Sequence, residues 1–304
     1  MVFVLSTGKF FRALVCVVSC AAFSNFATAQ AQAVPSGTPL SWVQAAADNE
    51  IPIINQDGTP VRYVVHKVDV KGDTTREIIE TRQGNVARLI QRNAQPLTPD
   101  EDAAERARLQ AILDSPDDFI KHHKHDESNR QMSRDLVSLL PKAMIHTYAP
   151  GQPQIAGPPQ VVIDYHPDPN FQPPTALSKV LTGIEGRAWI DARTKRVIRI
   201  EGRIIKPVSF GWFGMLGSIN EGGTLTLEQV NTGNDRWVYS RLDEQLSTRV
   251  IIKSVPVSDR MTASDFKLLP TPLTFQEAVR TLLAESIPLK CPNGSIAAKC
   301  AVAQ

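Results

Sequence analysis

The sequence predicts an α+β fold: a curved antiparallel sheet (a half-open β-barrel) with helices packed on its concave face. Short segments with an apolar residue at every second position recur between residues 61 and 253, separated by turn formers, as in antiparallel strands. Two helical segments interrupt them between residues 98 and 143. Strands, then two helices, then a longer run of strands is the order expected when helices cover one face of a sheet.

The N-terminal segment has the three parts of a secretory signal peptide. Lys9 and Arg12 give a positive start, residues 13–22 form an apolar run, and residues 27–33 have alanine at every second position. The apolar run is shorter than the roughly 20 residues that a transmembrane helix needs. We therefore expect export to the periplasm or cell envelope, in preference to an uncleaved membrane anchor.

The processing site has three candidate positions. Cleavage after Ala29 is the first choice, which assigns residues 1–29 to the signal peptide, and cleavage after Ala33 is the second. The segment Val-Val-Ser-Cys ending at Cys20 resembles a bacterial lipobox, and lipidation there would instead anchor the mature chain to a membrane.

Composition argues against nucleic acid as a partner. The full chain has 33 basic and 31 acidic residues, and the signal peptide removes two basic residues, which leaves a neutral mature chain. Nucleic acids and anionic surfaces attract proteins through a net positive field, which a balanced chain lacks. With 42% hydrophobic residues and no later apolar run of spanning length, the mature part is predicted to be soluble and globular.

Cysteine usage fits export. Cys291 and Cys300 are the cysteines outside the signal region, and the Pro-Asn-Gly turn at residues 292–294 can bring them together. In an oxidising compartment such a pair is expected to form a disulfide, which stabilises by about 2–3 kcal/mol in the chain-entropy model. A redox-active or metal-binding pair is the alternative.

The mature chain divides into three parts. Residues 30–60 form an N-terminal extension with a short helix-forming piece at 42–47, residues 61–286 form the main domain, and residues 287–304 form a tail that carries the cysteine pair. The predicted strands cover residues 61–71, 77–82, 86–92, 161–165, 188–191, 196–204, 224–230, 236–242 and 248–253. In 196–204 isoleucines alternate with charged residues, which predicts one buried and one wet face.

Capping motifs predict where the helices begin. Thr98 and Glu101 form a capping box with proline at the first helical position, and that helix is expected to end near Asp114. A second helix follows, whose apolar residues between positions 132 and 143 are predicted to be buried along one side. It is expected to bend or end at Pro141. Another capping box starts a last helix at Thr274.

Signatures of catalysis are absent from the sequence. It contains no nucleophile elbow, Walker loop, Rossmann fingerprint or zinc-protease motif, so we expect neither an enzyme nor a cofactor. His122 and Asp126 stand one helical turn apart, but two ligands are too few for a metal site and nearby lysines favour a solvated face.

One apolar segment suggests a binding role. Glycines recur every three residues among large apolar side chains, a composition unusual both for a packed strand and for a flexible loop. The ligand-binding residues predicted from it are Phe210, Trp212, Phe213, Met215 and Leu216. We interpret it as an apolar lip beside a cavity, in contact with an acyl chain, a partner or a membrane surface, or else as a buried plug.

Several patterns together resemble the periplasmic lipoprotein-sorting proteins and lipoprotein carriers of the LolA/LolB type. They are Gln95–Thr98 leading into the helices, Gly-Arg-Ala-Trp-Ile-Asp at 186–191, Arg-Ile-Glu-Gly at 199–202, the segment 210–217, and the strand through Trp237. The resemblance implies a half-open barrel closed by helices, with an apolar interior that takes lipid. The proline-rich residues 149–176 and the cysteine-bearing tail depart from a compact carrier.

Three functions follow as hypotheses. The first is an envelope protein that binds a lipidic or apolar ligand, in lipoprotein or lipid transfer. The second is an envelope protein-interaction or stress-sensor module of the same fold, without lipid cargo. The third is a secreted enzyme with a site built from scattered residues.

Overall fold

The computed structural model describes residues 35–212, 215–250, 253–292, 294–297 and 300, and has the α+β architecture predicted from the sequence. The helices are α1 (Pro39–Ile54), α2 (Pro99–Asp114), α3 (Asp117–Ala143) and α4 (Phe275–Ala284), with a 3-10 turn at Leu177–Thr182. The strands are β1 (Val61–Asp69), β2 (Gly72–Ile79), β3 (Val86–Arg92), β4 (Gln95–Pro96), β5 (Met144–Tyr148), β6 (Gln160–Pro167), β7 (Ile184–Asp191), β8 (Val197–Ile204), β9 (Val208–Trp212), β10 (Met215–Ile219), β11 (Thr224–Asn231), β12 (Trp237–Val250), β13 (Lys253–Leu268), β14 (Leu289–Lys290) and β15 (Ile296–Ala297).

One antiparallel sheet organises the fold. Its strands lie in the order β4-β3-β2-β1-β13-β12-β11-β8-β7-β6-β5, and the β9–β10 hairpin joins it through pairing of β10 with β12. Among the described strands, β4 pairs only with β3 and β5 only with β6. The sheet is therefore curved but not closed, which confirms the half-open architecture.

Helices α2 and α4 cover the β2–β3 end of the sheet. Leu109 of α2 and Leu282 of α4 pack with Ile79 and Val86 in one buried cluster. Arg88 of β3 is completely buried beneath them. Its guanidinium donates to the Asp102 carboxylate at 2.9 Å and to main-chain carbonyl oxygens of α4 and the residue after it, so the ion pair joins both helices to the sheet.

Helices α1 and α3 cover the opposite end, over β5 to β8. Trp42 and Ala46 of α1 pack on Val161, Ile163 and Ile190 of the sheet. The C-terminal turns of α3 pack beside Tyr165 and the 3-10 turn. The segment predicted as an N-terminal extension thus contributes a helix to the core, and Val34–Gln304 forms one compact unit.

The predicted helix starts are confirmed. Thr98 with Glu101, and Thr274 with Glu277, form capping boxes at α2 and α4. Helix α3 continues two residues past Pro141 before it ends at Ala143. No helix within the described residues is long and apolar enough to cross a membrane.

Three predicted strands had the wrong bounds. The strands predicted at 236–242 and 248–253 belong to the long hairpin of β12 and β13, and most of β13 had no prediction. The strand predicted at 77–82 ends at Ile79 and starts earlier, at Gly72. In β13 the alternation of apolar and polar residues is broken at Asp265, whose positive φ of 55° marks an irregularity in the strand. This break makes the strand hard to recognise from the sequence.

The glycine-spaced segment is a β-hairpin, not the loop expected from its composition. Glycines 211 and 217 lie directly across from Leu216 and Phe210 on the partner strand.

The C-terminal tail is tied down at the β4 edge. Cys291 and Cys300 form the predicted disulfide. The Lys290 main-chain N–H donates to the Leu97 carbonyl at 2.8 Å, next to β4. Leu289 packs with Leu89 and Leu97 in a small cluster of its own.

Candidate functional site

Six side chains on the face of the sheet that α1 covers form an apolar band, the apolar stripe, on either side of Glu244 and Asp259. They are Leu225 and Leu227 of β11, Leu242 and Leu246 of β12, and Val257 and Met261 of β13. Leu227, Leu242 and Met261 lie side by side across the three strands, and Leu246 faces Val257. Leu227 also pairs with Ile200 of β8, which packs in the α1 cluster, so the stripe continues the face that α1 covers.

Neither the core nor the helices fully cover this stripe. All six residues are half-buried, and none belongs to the five core clusters formed by the described residues. On the opposite face of β13, Pro256, Ser258, Arg260 and Thr262 are exposed, as strand alternation requires. The helix-facing side thus keeps apolar surface that an apolar ligand could bury.

Helix α1 closes one end of the stripe. Its Glu50 carboxylate is buried and accepts hydrogen bonds from the Tyr239 hydroxyl at 2.5 Å and from the Gln229 amide at 2.7 and 2.9 Å. The irregularity between Glu228 and Gln229 in the β11–β12 register aligns Gln229 with Tyr239 on the α1 side. Burial raises the pKa of Glu50, although these hydrogen bonds and the charge of Arg196 oppose the shift.

A charged group interrupts the middle of the stripe. Glu244 of β12 lies directly opposite Asp259 of β13, and like charges in that position repel. Lys67 of β1 pairs with Asp259 at 3.2 Å and Asp69 at 3.0 Å, whereas Glu244 has no ion pair among the described residues. Burial, and next the charge of Asp259, raise the pKa of Glu244, while Lys67 lowers it by a smaller amount.

The predicted ligand-binding residues lie at the other end. The β9–β10 hairpin extends the sheet beyond Leu246, because Gly217 and Ile219 of β10 pair with Val250 and Thr248 of β12. The backbone of this hairpin carries Phe210, Trp212, Met215 and Leu216, whose side chains are outside the described part, and Phe213 lies outside the described residues. Their role as ligand contacts stays a prediction.

The apolar stripe itself was not predicted from the sequence. Val257 and Met261 lie in a segment with no strand prediction, although residues 256–262 alternate apolar or acidic with polar residues. Leu225 and Leu227 were placed on a strand without a role. The alternation at residues 256–262 could have indicated a strand. Without the pairing with β12, however, the sequence does not show which face of the sheet the apolar residues occupy.

Metal ligation finds no support in the described part of the chain. It holds no group of three or more side chains that could bind a metal ion. His122 and Asp126 are 3.7 Å apart on the exposed side of α3, as a solvated pair would be.

Comparisons with known proteins give two solved structures. No protein-family model and no curated protein matches the chain. A domain described as an outer membrane lipoprotein-sorting protein from Vibrio parahaemolyticus is 12% identical, with a TM-score of 0.31, and the match covers 79% of this chain and 97% of that one. MucB, solved in complex with MucA(peri), is 8% identical, with a TM-score of 0.22 and coverage of 77% and 100%. TM-scores below 0.5 do not establish a common fold, so neither structure assigns a function to this chain.

Proposed function

We propose that the chain is an exported, non-enzymatic protein of the cell envelope that binds a lipidic or apolar ligand along the apolar stripe. The single observation that carries this is a row of half-buried Leu, Val and Met side chains outside the core clusters, on either side of Glu244 and Asp259. Surface of this kind costs solubility and is retained mainly where a ligand or partner covers it.

The shape of the surroundings favours an elongated ligand. The stripe crosses three strands, and neighbouring strands lie about 4.8 Å apart. At one end the buried contact between Glu50 and Tyr239 blocks it, and at the other the β9–β10 hairpin prolongs the sheet. An acyl chain that lies along the stripe would bury apolar surface on both molecules, at about 25 cal/mol for each Å².

The test compares side chains on the two faces of the same strands. Replacing Leu242 and Met261 with Gln keeps their approximate volume and makes the stripe polar. The matched control replaces Arg260 and Thr262 with Gln on the exposed face. Binding of a fluorescent fatty acid to the purified mature protein is measured by titration, with thermal unfolding of each variant as a check on folding.

We expect the stripe variant to bind the fatty acid at least about tenfold more weakly, which corresponds to about 1.4 kcal/mol. The control variant should bind like the parent protein. Equal binding by both variants, or no binding by the parent, would rule out the stripe as a lipid site.

A second candidate, binding of an envelope protein, has one specific observation in its favour. Strand β5 ends the sheet, and the hydrogen bonds that flank it place Ile145 and Thr147 in the ladder with β6. The main-chain N–H and C=O of His146 therefore point to the open edge, where an extended segment of a partner could add a strand. Replacing His146 with Pro would remove that N–H and should abolish such binding while fatty-acid binding persists.

A further inference from the structure

A cavity lies on the outer face of the sheet, the face opposite the side chains of the apolar stripe. It encloses about 560 Å³ where β6, β7, β8 and β11 run side by side. Three consecutive residues of each strand line it. We propose that this trough binds an uncharged oligosaccharide.

One tyrosine packs against the sheet directly behind the trough. Tyr165 lies on the helix-facing side, packs against the α3 cluster, and donates a hydrogen bond to the Glu201 carbonyl at 2.8 Å. Its neighbours across β7 and β8 are Gly186 and Gly202. A Cβ atom on Gly186 would collide with the Glu201 carbonyl and the Tyr165 hydroxyl, so only glycine allows the strands to approach this closely.

Tyr165, Gly186 and Gly202 form a central row across the strands. Because side chains alternate along a strand, the residues on either side of this row point to the outer face. They form two rows of polar side chains with bare backbone between them. In the first row Asp164 lies beside Arg187, Arg187 beside Glu201, and Glu201 beside Thr226. The trough lies between these rows, over the backbone of Gly186 and Gly202.

The second row repeats the same alternation of charge. Glu185 lies beside Arg203, and Arg203 lies beside Thr224. The two rows are held in place by ion pairs: Arg187 binds Asp164 through two hydrogen bonds of 2.5 and 2.9 Å, and Arg203 binds Glu185 at 2.7 Å. The trough is thus built from fixed, paired charges.

These side chains keep hydrogen-bonding capacity that no described residue uses. Arg187 and Arg203 each retain Nη1, and Glu185 and Glu201 each retain Oε2. A hydroxyl group both donates and accepts, so neighbouring hydroxyls of a sugar can bind a guanidinium and a carboxylate at once. Hydrogen bonds to charged groups are about twice as strong as neutral ones, which suits a ligand with no charge of its own.

The same features disfavour other ligands. Three carboxylates face two guanidinium groups, so phosphate-rich or other anionic ligands would be repelled. All four strands already have neighbours on both sides, which leaves no free backbone edge for a peptide strand. The trough crosses four strands, a length of about 14 Å at about 4.8 Å per strand, which accommodates a short oligosaccharide.

The experiment titrates the purified mature protein with maltotriose, cellotriose and triacetylchitotriose by isothermal calorimetry. Thr226→Tyr places a bulky side chain in the trough, and Arg203→Gln removes a donor. Thr262→Tyr makes the same aromatic substitution on an exposed position of the same outer face, outside the trough. Aromatic residues are well tolerated in strands, so both tyrosine variants should fold. Thermal unfolding verifies the folding of all three variants.

We expect at least one of the saccharides to bind, with Kd raised at least about tenfold by Thr226→Tyr and by Arg203→Gln. Thr262→Tyr should leave Kd unchanged, and fatty-acid binding should be unchanged in all three variants. The proposal fails if none of the saccharides binds at millimolar concentration, or if the trough variants bind them like the parent. It also fails if an uncharged tetrapeptide competes for the trough more tightly than the saccharides do.

Discussion

The β2–β3 end of the sheet and its middle strands β11 to β13 carry apolar side chains in very different states, on opposite faces of the sheet. At the β2–β3 end, Ile79 is 1% exposed and Leu109 and Leu282 are 0% exposed, because α2 and α4 lie directly over the strands. In the middle, the leucines of the apolar stripe remain half-buried. Coverage by helices, and not the strand pattern, therefore decides whether an apolar sheet face becomes core or remains available for a ligand.

Charged residues follow the same division. At the covered end, Nη1 of Arg88 donates to two main-chain carbonyls and Nη2 donates to the Asp102 carboxylate. Its Nε atom has no hydrogen-bond partner among the described residues. Glu244, in the middle, faces another carboxylate and has no ion pair within the described residues. The buried charge of Arg88 has partners and holds the helices in a fixed position on the sheet. The ionised form of Glu244, partly buried beside another acid, makes the middle strands less stable.

The largest effect should come from breaking the buried ion pair. Arg88→Ala leaves the Asp102 carboxylate with the partly exposed Arg106 as its ion-pair partner and takes the donor from the carbonyls at the C-terminal end of α4. Removal of one member of a buried pair costs about 3–5 kcal/mol. Arg260→Ala, whose ion pair with Asp243 is exposed, should cost at most about 1 kcal/mol. Urea unfolding of both variants measures the difference. Similar losses for the two would show that the covered end is no more tightly built than the surface.

Leucine truncation should separate the two regions next. Leu282→Ala removes a fully buried side chain and should lower the free energy of unfolding by about 2–5 kcal/mol. Leu242→Ala in the apolar stripe should cost clearly less, since its side chain is already partly in contact with water. Equal losses in urea unfolding would place the stripe within the core and remove the basis for a ligand there.

The smallest effect concerns the closed end of the stripe and depends on pH. Burial raises the pKa of Glu50, so the folded state disfavours its ionised form. The stability from the protonated carboxyl is fully present below the unfolded pKa and is lost as pH rises through the higher folded pKa. Glu50→Gln should therefore be more stable than the parent at pH 7 and lose that advantage at pH 4. A constant difference across this pH range in urea unfolding would contradict the assignment.

The sequence was informative wherever local chemistry decides structure. The capping boxes at Thr98 and Thr274 satisfy main-chain groups within a few residues, so they can be recognised without tertiary contacts. The cysteine pair was found for the same reason, because a turn separates its members.

Features that depend on distant partners were not predictable in this way. The apolar stripe needs β11, β12 and β13 in register, and most of β13 was not predicted as a strand. The trough arises from Tyr165 and two glycines on three different strands. Each glycine alone indicates only a close approach, and the identity of the approaching group depends on the pairing of whole strands.

The tail that is fixed beside β4 bears on how the protein can self-associate. With Leu289 and Lys290 against Leu97, the chain's own C-terminus occupies the end of the sheet where β4 lies. Within the described part of the sheet, strands β5 and β9 are then the edges that pair with one neighbour each. The disulfide-linked tail thus withdraws the β4 edge from pairing with another chain, as loops that cover an edge do in natural sheets.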